Sequence, residues 1–119
     1  MSKNTLALCR QAPYGNALAR EGLEAILAAA AMDQAPAVLF LGDGVFQLAG
    51  QKPEAIAEKN LRRNIQALPM FDVETLHVCK SSLLQRGIMP EALQVPGADI
   101  ELVEDCGSFI RKFDHVLSF

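Results

Sequence analysis

Tryptophan is absent from this chain, tyrosine occurs once, and aromatic residues make up only 6% of the 119 positions. Positive charge is equally sparse: eleven lysines and arginines are scattered among fourteen acidic residues, giving a net charge of −3. With no basic stripe interleaved with aromatics, direct high-affinity nucleic-acid binding is disfavoured, although a charge total leaves a local patch open. The three cysteines, Cys9, Cys79 and Cys106, are odd in number and show neither CxxC nor zinc-ligand spacing, which excludes a disulfide scaffold. The two histidines lack paired carboxylates at ligand spacing, so no metal site is expected. No GxGxxG or Walker sequence follows the first strand, and neither a nucleotide nor any other organic cofactor is called for. The longest apolar runs, Leu27 to Met32 and Ala35 to Leu41 with Pro36 inside, are far too short to span a bilayer. Met1-Ser2-Lys3-Asn4-Thr5 leads straight into an apolar strand with no signal-peptide pattern, so a cytoplasmic location is expected.

What is present is a half-apolar chain of a length suited to one domain, residues 1–119. Leu6-Ala7-Leu8-Cys9 reads as a short strand, followed by a polar loop from Arg10 to Asn16. From Ala17 to Met32, Leu18, Leu23, Ile26, Leu27 and Ala30 recur at helical spacing, with Arg20, Glu21 and Glu24 on other sides. Ala35 to Leu41 is a nearly continuous apolar strand, the pattern of a sheet covered on both faces; Pro36 suits only its entry. Asp43-Gly44 ends it, and Val45 to Ala49 forms an apolar turn. Pro53 fits the first position of a helix whose buried side is Ala55, Ile56, Leu61, Ile65 and Leu68. Then come a strand from Val73 to Val78, a short helix from Lys80 to Arg86 closed by Gly87, a strand Ile100 to Val103, a short helix around Cys106 to Lys112, and a last strand His115 to Phe119. Strands alternating with helices predict a predominantly parallel five-stranded α/β sheet with helices on both faces and functional loops at the carboxyl ends of the strands.

Cys79 is the leading candidate site residue. It stands where a strand hands over to a helix, so its thiol can meet free backbone N–H groups, with Lys80 adjacent; both favour the thiolate. Asp43, Lys80 and Ser81 are candidate supporting residues. The opposing reading is a small buried hydrophobe at a strand end. His77 points to the same face as Cys79, but an ideal strand offsets the two by roughly 6 to 7 Å, too far for direct proton transfer. Asp43 reads mainly as a turn or cap residue, since the first strand lacks the acidic pair a magnesium site would need. His115 reads as structural. The acidic flank Glu101 to Asp105 opposes thiolate formation at Cys106. Val45, Phe46 and Leu48 form a candidate interface, with a local core connector as the competing reading.

Several ordered stretches carry a resemblance: Ala12-Pro13-Tyr14-Gly15, Arg20 to Ala25, Asp43 to Leu48, Gly50-Gln51-Lys52-Pro53, Val78 to Leu83, Arg86-Gly87 and Phe113 to Phe119. Together they span almost the whole chain, and in order and spacing the sequence resembles the TusC-like branch of the DsrE/DsrF-like family. The resemblance implies a small α/β subunit of a cytoplasmic sulfur relay, assembled with TusB-like and TusD-like relatives as a dimer of heterotrimers. It implies that persulfide sulfur passes to a TusE-like carrier for 2-thiolation of the wobble uridine of certain transfer RNAs, with no membrane partner. It also implies that the TusD-like subunit is the principal persulfide carrier. Cys79 stands at the matching cysteine position of a subunit expected to act mainly by assembly and docking. Two alternatives stay open: Cys79 as an obligatory persulfide carrier, and a cysteine-based redox-sensing interaction protein.

Overall fold

Five short, apolar, β-rich segments pair side by side, all parallel: β1 (Thr5–Cys9), β2 (Ala37–Phe40), β3 (Thr75–Cys79), β4 (Asp99–Val103) and β5 (His115–Ser118). The order across the sheet is β4-β3-β2-β1-β5. A computed structural model provides the coordinates and describes residues 5–11, 18–48, 64–93, 95 and 97–119. The predicted polar loop after Arg10, apart from Gln11, and the first part of the Pro53 helix lie outside the described residues.

Side-chain alternation splits the core in two. On one face, Ala7, Cys9, Val38, Phe40, Leu76 and Val78 pack beneath α1 (Leu18–Ala31), which lays down Leu23, Ile26 and Ala30 at helical spacing. A helical turn at 64–67, tightening into a 3-10 segment at Leu68–Phe71, adds Ile65 and Leu68 to this face. Removing one of these fully buried leucines, Leu23 for instance, would cost about 2–5 kcal/mol in transfer energy and cavity. α1 stops where Asp33 takes a left-handed φ of 60°, and the N–H of Gln34 returns to the Ala29 carbonyl at 2.9 Å. Gly22 has no side chain because a Cβ there would lie 2.7 Å from the Cβ of Phe119, which packs beneath the helix.

Among the described residues the other face is thinner. Leu6, Leu39 and Val103 are buried under one short helix, α3 (Cys106–Ile110), together with Phe113. Asp105 caps that helix, accepting from the Ser108 N–H at 3.0 Å and the Ser108 hydroxyl at 2.9 Å. The Cys106 segment is thus fixed in place at the end of β4.

Between β3 and β4 runs α2 (Lys80–Gln85), followed by a 3-10 turn at Pro90–Ala92. After β2 the chain forms a 3-10 segment, Gly42–Gln47, where the sequence suggests an apolar turn. Gly44 lets this segment pass over the end of β1, since a Cβ there would fall 1.8 Å from the Cys9 carbonyl oxygen. Because every strand runs the same way, Cys9, Leu41, Cys79 and Val103 all reach the carboxyl edge of the sheet, where the site must be sought.

Candidate functional site

β3 delivers Cys79 to the carboxyl edge in an extended conformation, φ −69° and ψ 114°, immediately before α2. Leu76 and Val78 belong to the thick face, so His77 and Cys79 project toward the thin one. Cys79 is 7% exposed. Burial pushes its thiol up, but four hydrogen bonds favour the thiolate and leave the pKa below the ordinary thiol value. They come from the Cys106 thiol, the Ser82 hydroxyl and the backbone N–H groups of Ser82 and Ser81.

Ser82 links this thiol to the neighbouring strand end. Its oxygen, on a buried side chain, accepts the Gly42 N–H at 2.9 Å while its hydroxyl faces Cys79. Arg86, one turn further on, donates to the Ser82 carbonyl at 3.2 Å and holds Asp43 through Nε at 3.1 Å and Nη2 at 3.0 Å. Asp43 therefore ties the β2 loop to α2 through Arg86. Lys80 turns outward to Glu104 at 3.2 Å, and its ammonium is not among the groups that stabilise the Cys79 thiolate. Ser81 contributes its backbone N–H.

Cys106 sits beside Cys79 because β3 and β4 pair in register, Cys79 against Val103, and α3 begins three residues after Val103. The Cys106 thiol donates to the Val103 carbonyl oxygen at 3.9 Å and lies close enough to the Cys79 thiol to interact with it. Burial, the bond to Cys79 and the negative charges of Cys79 and Asp105 push its own thiol up. The pair is therefore asymmetric: its surroundings lower the pKa of Cys79 and raise that of Cys106.

The other sequence candidates fall elsewhere. Cys9 is buried on the opposite face and pushed up to about 12 by desolvation. The His77 ring packs tilted at 47° against that of Phe109, centroids 4.7 Å apart, and its Nδ1 lies 3.9 Å from the Glu101 carboxylate. Burial lowers its pKa despite the carboxylate, so it stays neutral near pH 7. His115 is exposed on the edge strand β5. Val45 and Leu48 are buried in the thick-face core, which leaves Phe46 as the half-buried member of that trio. Among the described residues no group of three or more metal-ligating side chains comes together, and no helix is long and apolar enough to cross a membrane.

Cys106, Ser82 and Arg86 were not singled out as Cys79's partners by the sequence. The available signal was a cysteine at each of two strand–helix junctions, Cys79 at the end of one strand and Cys106 at the start of the helix after another. It becomes readable only once those strands are known to be parallel neighbours.

Residues 3–119 match the DsrE/DsrF-like family. A protein TusC homolog from Pseudomonas aeruginosa is 41% identical over 121 aligned positions, covering 99% of each chain. Protein TusC from Shigella flexneri is 44% identical over 109 positions, 91% of this chain and 92% of that one. The crystal structure of the ychN protein from E. coli shares the fold, with a TM-score of 0.76 at 24% identity over 98% of this chain and 99% of its own.

Proposed function

The chain belongs to the DsrE/DsrF-like family, and on that footing we propose that it serves as a TusC-like subunit of a cytoplasmic sulfur-relay complex. The observation that carries this reading is its likeness, at 41% and 44% identity over nine-tenths or more of the chain, to proteins named TusC. In this reading it assembles with TusB-like and TusD-like chains as a dimer of heterotrimers. The complex hands persulfide sulfur to a TusE-like carrier for 2-thiolation of transfer RNA wobble uridine. The chain acts mainly by assembly and docking, and residues 1–119 form one domain. Half-buried Phe46, beside the Asp43–Arg86 tie, is the proposed docking residue.

The chemistry required of such a relay is attack by a thiolate on sulfane sulfur, then attack by a second thiolate on the outer sulfur. The hydrogen-bonded thiol of Cys79 supports a second reading, in which this chain is itself an obligatory carrier. Its low exposure favours the docking role. Size-exclusion chromatography with light scattering, with and without the two sister chains, tests assembly. The expected result is one larger species containing all three; a monomer that ignores both relatives refutes it.

A further inference from the structure

Two thiols meet at the carboxyl edge, and the relay reading assigns no work to the second. Cys79 is paired in register with Val103, and the Cys106 thiol folds back to donate to the Val103 carbonyl at 3.9 Å, which brings the two thiols together at adjacent strand ends. Both lie on the thin face, away from Cys9. Neither is in a disulfide. We propose that Cys79 and Cys106 form a nucleophile and resolving pair for sulfane sulfur, so that sulfur loaded on Cys79 is expelled as hydrosulfide rather than stored. The substrate class is a small sulfane-sulfur compound, an inorganic polysulfide or low-molecular-weight persulfide, because the 7% exposure of Cys79 favours a small donor.

The reaction balances within the pair. The Cys79 thiolate attacks the sulfane sulfur of the donor; a bond forms from its Sγ to that sulfur, the donor's own S–S bond breaks, and the shortened donor leaves as an anion. Cys106 then attacks Sγ of Cys79. The Sγ–Sγ bond forms, the bond to the outer sulfur breaks, and hydrosulfide departs, with the Cys106 proton passing to the sulfide. Across both steps two thiols are oxidised to one disulfide and one sulfane sulfur is reduced to sulfide, so the donor is the only oxidant required. The electrostatics order the steps. Burial raises the Cys106 pKa and a thiolate charge on Cys79 raises it further; once Cys79 carries sulfur that charge moves from Sγ to the outer sulfur and its contribution weakens, which favours attack by Cys106 after loading. A single subunit thus takes up sulfur without becoming its resting place, consistent with a subunit that supports a relay without being its principal carrier.

The proposal rests on the relay reading in one respect, that sulfane sulfur reaches Cys79. The test treats the full-length chain with sodium tetrasulfide in a single turnover, followed by alkylation, intact-mass and peptide mass spectrometry, and a sulfide assay. Wild type is expected to lose the mass of two hydrogens as a Cys79–Cys106 disulfide and to release sulfide. Cys106→Ser and Cys106→Ala should instead gain the mass of one sulfur atom on Cys79 and hold severalfold more persulfide. Circular dichroism confirms that each variant is folded. Equal persulfide on wild type and both variants overturns the proposal alone, as does a disulfide that maps to Cys9. No sulfur on Cys79 in any of the three removes the premise and overturns the proposal with it. Normal assembly with the sister chains would still leave the relay reading intact.

Discussion

Ser82→Ala removes two hydrogen bonds with one oxygen atom, and the two losses are read by different assays. The Ser82 hydroxyl faces the Cys79 sulfur while its oxygen accepts the Gly42 N–H at 2.9 Å. A hydrogen bond to a charged group contributes about 1.5–3 kcal/mol. The Cys106 thiol and two backbone N–H groups still face Cys79 in the variant, so the lower end applies. At 1.36 kcal/mol per factor of ten, the ionisation equilibrium of Cys79 should shift about tenfold toward the thiol. The sign follows from acid chemistry: loss of a thiolate-favouring donor raises the pKa, so the alkylation profile moves to higher pH. The second loss strands the Gly42 N–H, at a cost of about 1–3 kcal/mol in stability, against a total of about 5–15 for a domain. Iodoacetamide labelling of Cys79, resolved by peptide mass spectrometry across pH, measures the first, and urea unfolding the second. Ser82→Thr, which keeps the hydroxyl, should recover most of both. A Cys79 labelling profile unchanged in folded Ser82→Ala would refute this account of the thiol.

Gly44→Ala should cost about 3 kcal/mol in urea unfolding, because its Cβ meets the Cys9 carbonyl oxygen. Gly87→Ala, at φ 66° with open space around it, should cost only about 1–2 kcal/mol; equal losses would contradict the close packing of the 3-10 segment on β1. His77 has a folded pKa below its ordinary 6.5, so its contribution to stability is fully present above that value and is lost as pH falls through the folded pKa. His77→Phe should therefore flatten the fall in the urea midpoint between neutral and mildly acidic pH, and an unchanged fall would refute the neutral buried histidine. Phe46→Ala should lower isolated-chain stability by less than the 3–5 kcal/mol or so of a buried phenylalanine. It should weaken binding to the sister chains by about 2 kcal/mol or more. Normal affinity in a titration would remove Phe46 from the interface.

The architecture was legible because its signals are local. Strand and helix periods, Pro36 at a strand entry and Gly87 after a short helix place the segments within a few residues of β1, α1, β2, β3, α2, β4, α3 and β5. Val45 shows the limit. An apolar residue after a strand reads equally as docking surface or core, and only the passage of Gly44 over the end of β1 decides that Val45 is buried. The surroundings of Cys79 were half legible. Its backbone N–H neighbours follow from the strand–helix junction, whereas Ser82 acts through Gly42, forty positions away, and Cys106 through the pairing of β3 with β4. Lys80 makes the same point in reverse, since adjacency in sequence does not stop its ammonium from pairing with Glu104. Long-range register, not local propensity, sets these partners.

The central claim, that this chain is a working part of a sulfur relay, is tested most directly by following labelled sulfur through a reconstituted complex to a TusE-like carrier. Three preparations are compared: all three subunits, the complex lacking this chain, and the complex with Cys79→Ser. Delivery should collapse when the chain is omitted and persist with Cys79→Ser. Loss of delivery with an assembled Cys79→Ser complex would transfer the role to Cys79 as an obligatory carrier, and delivery that is unaffected by omitting the chain would contradict the account.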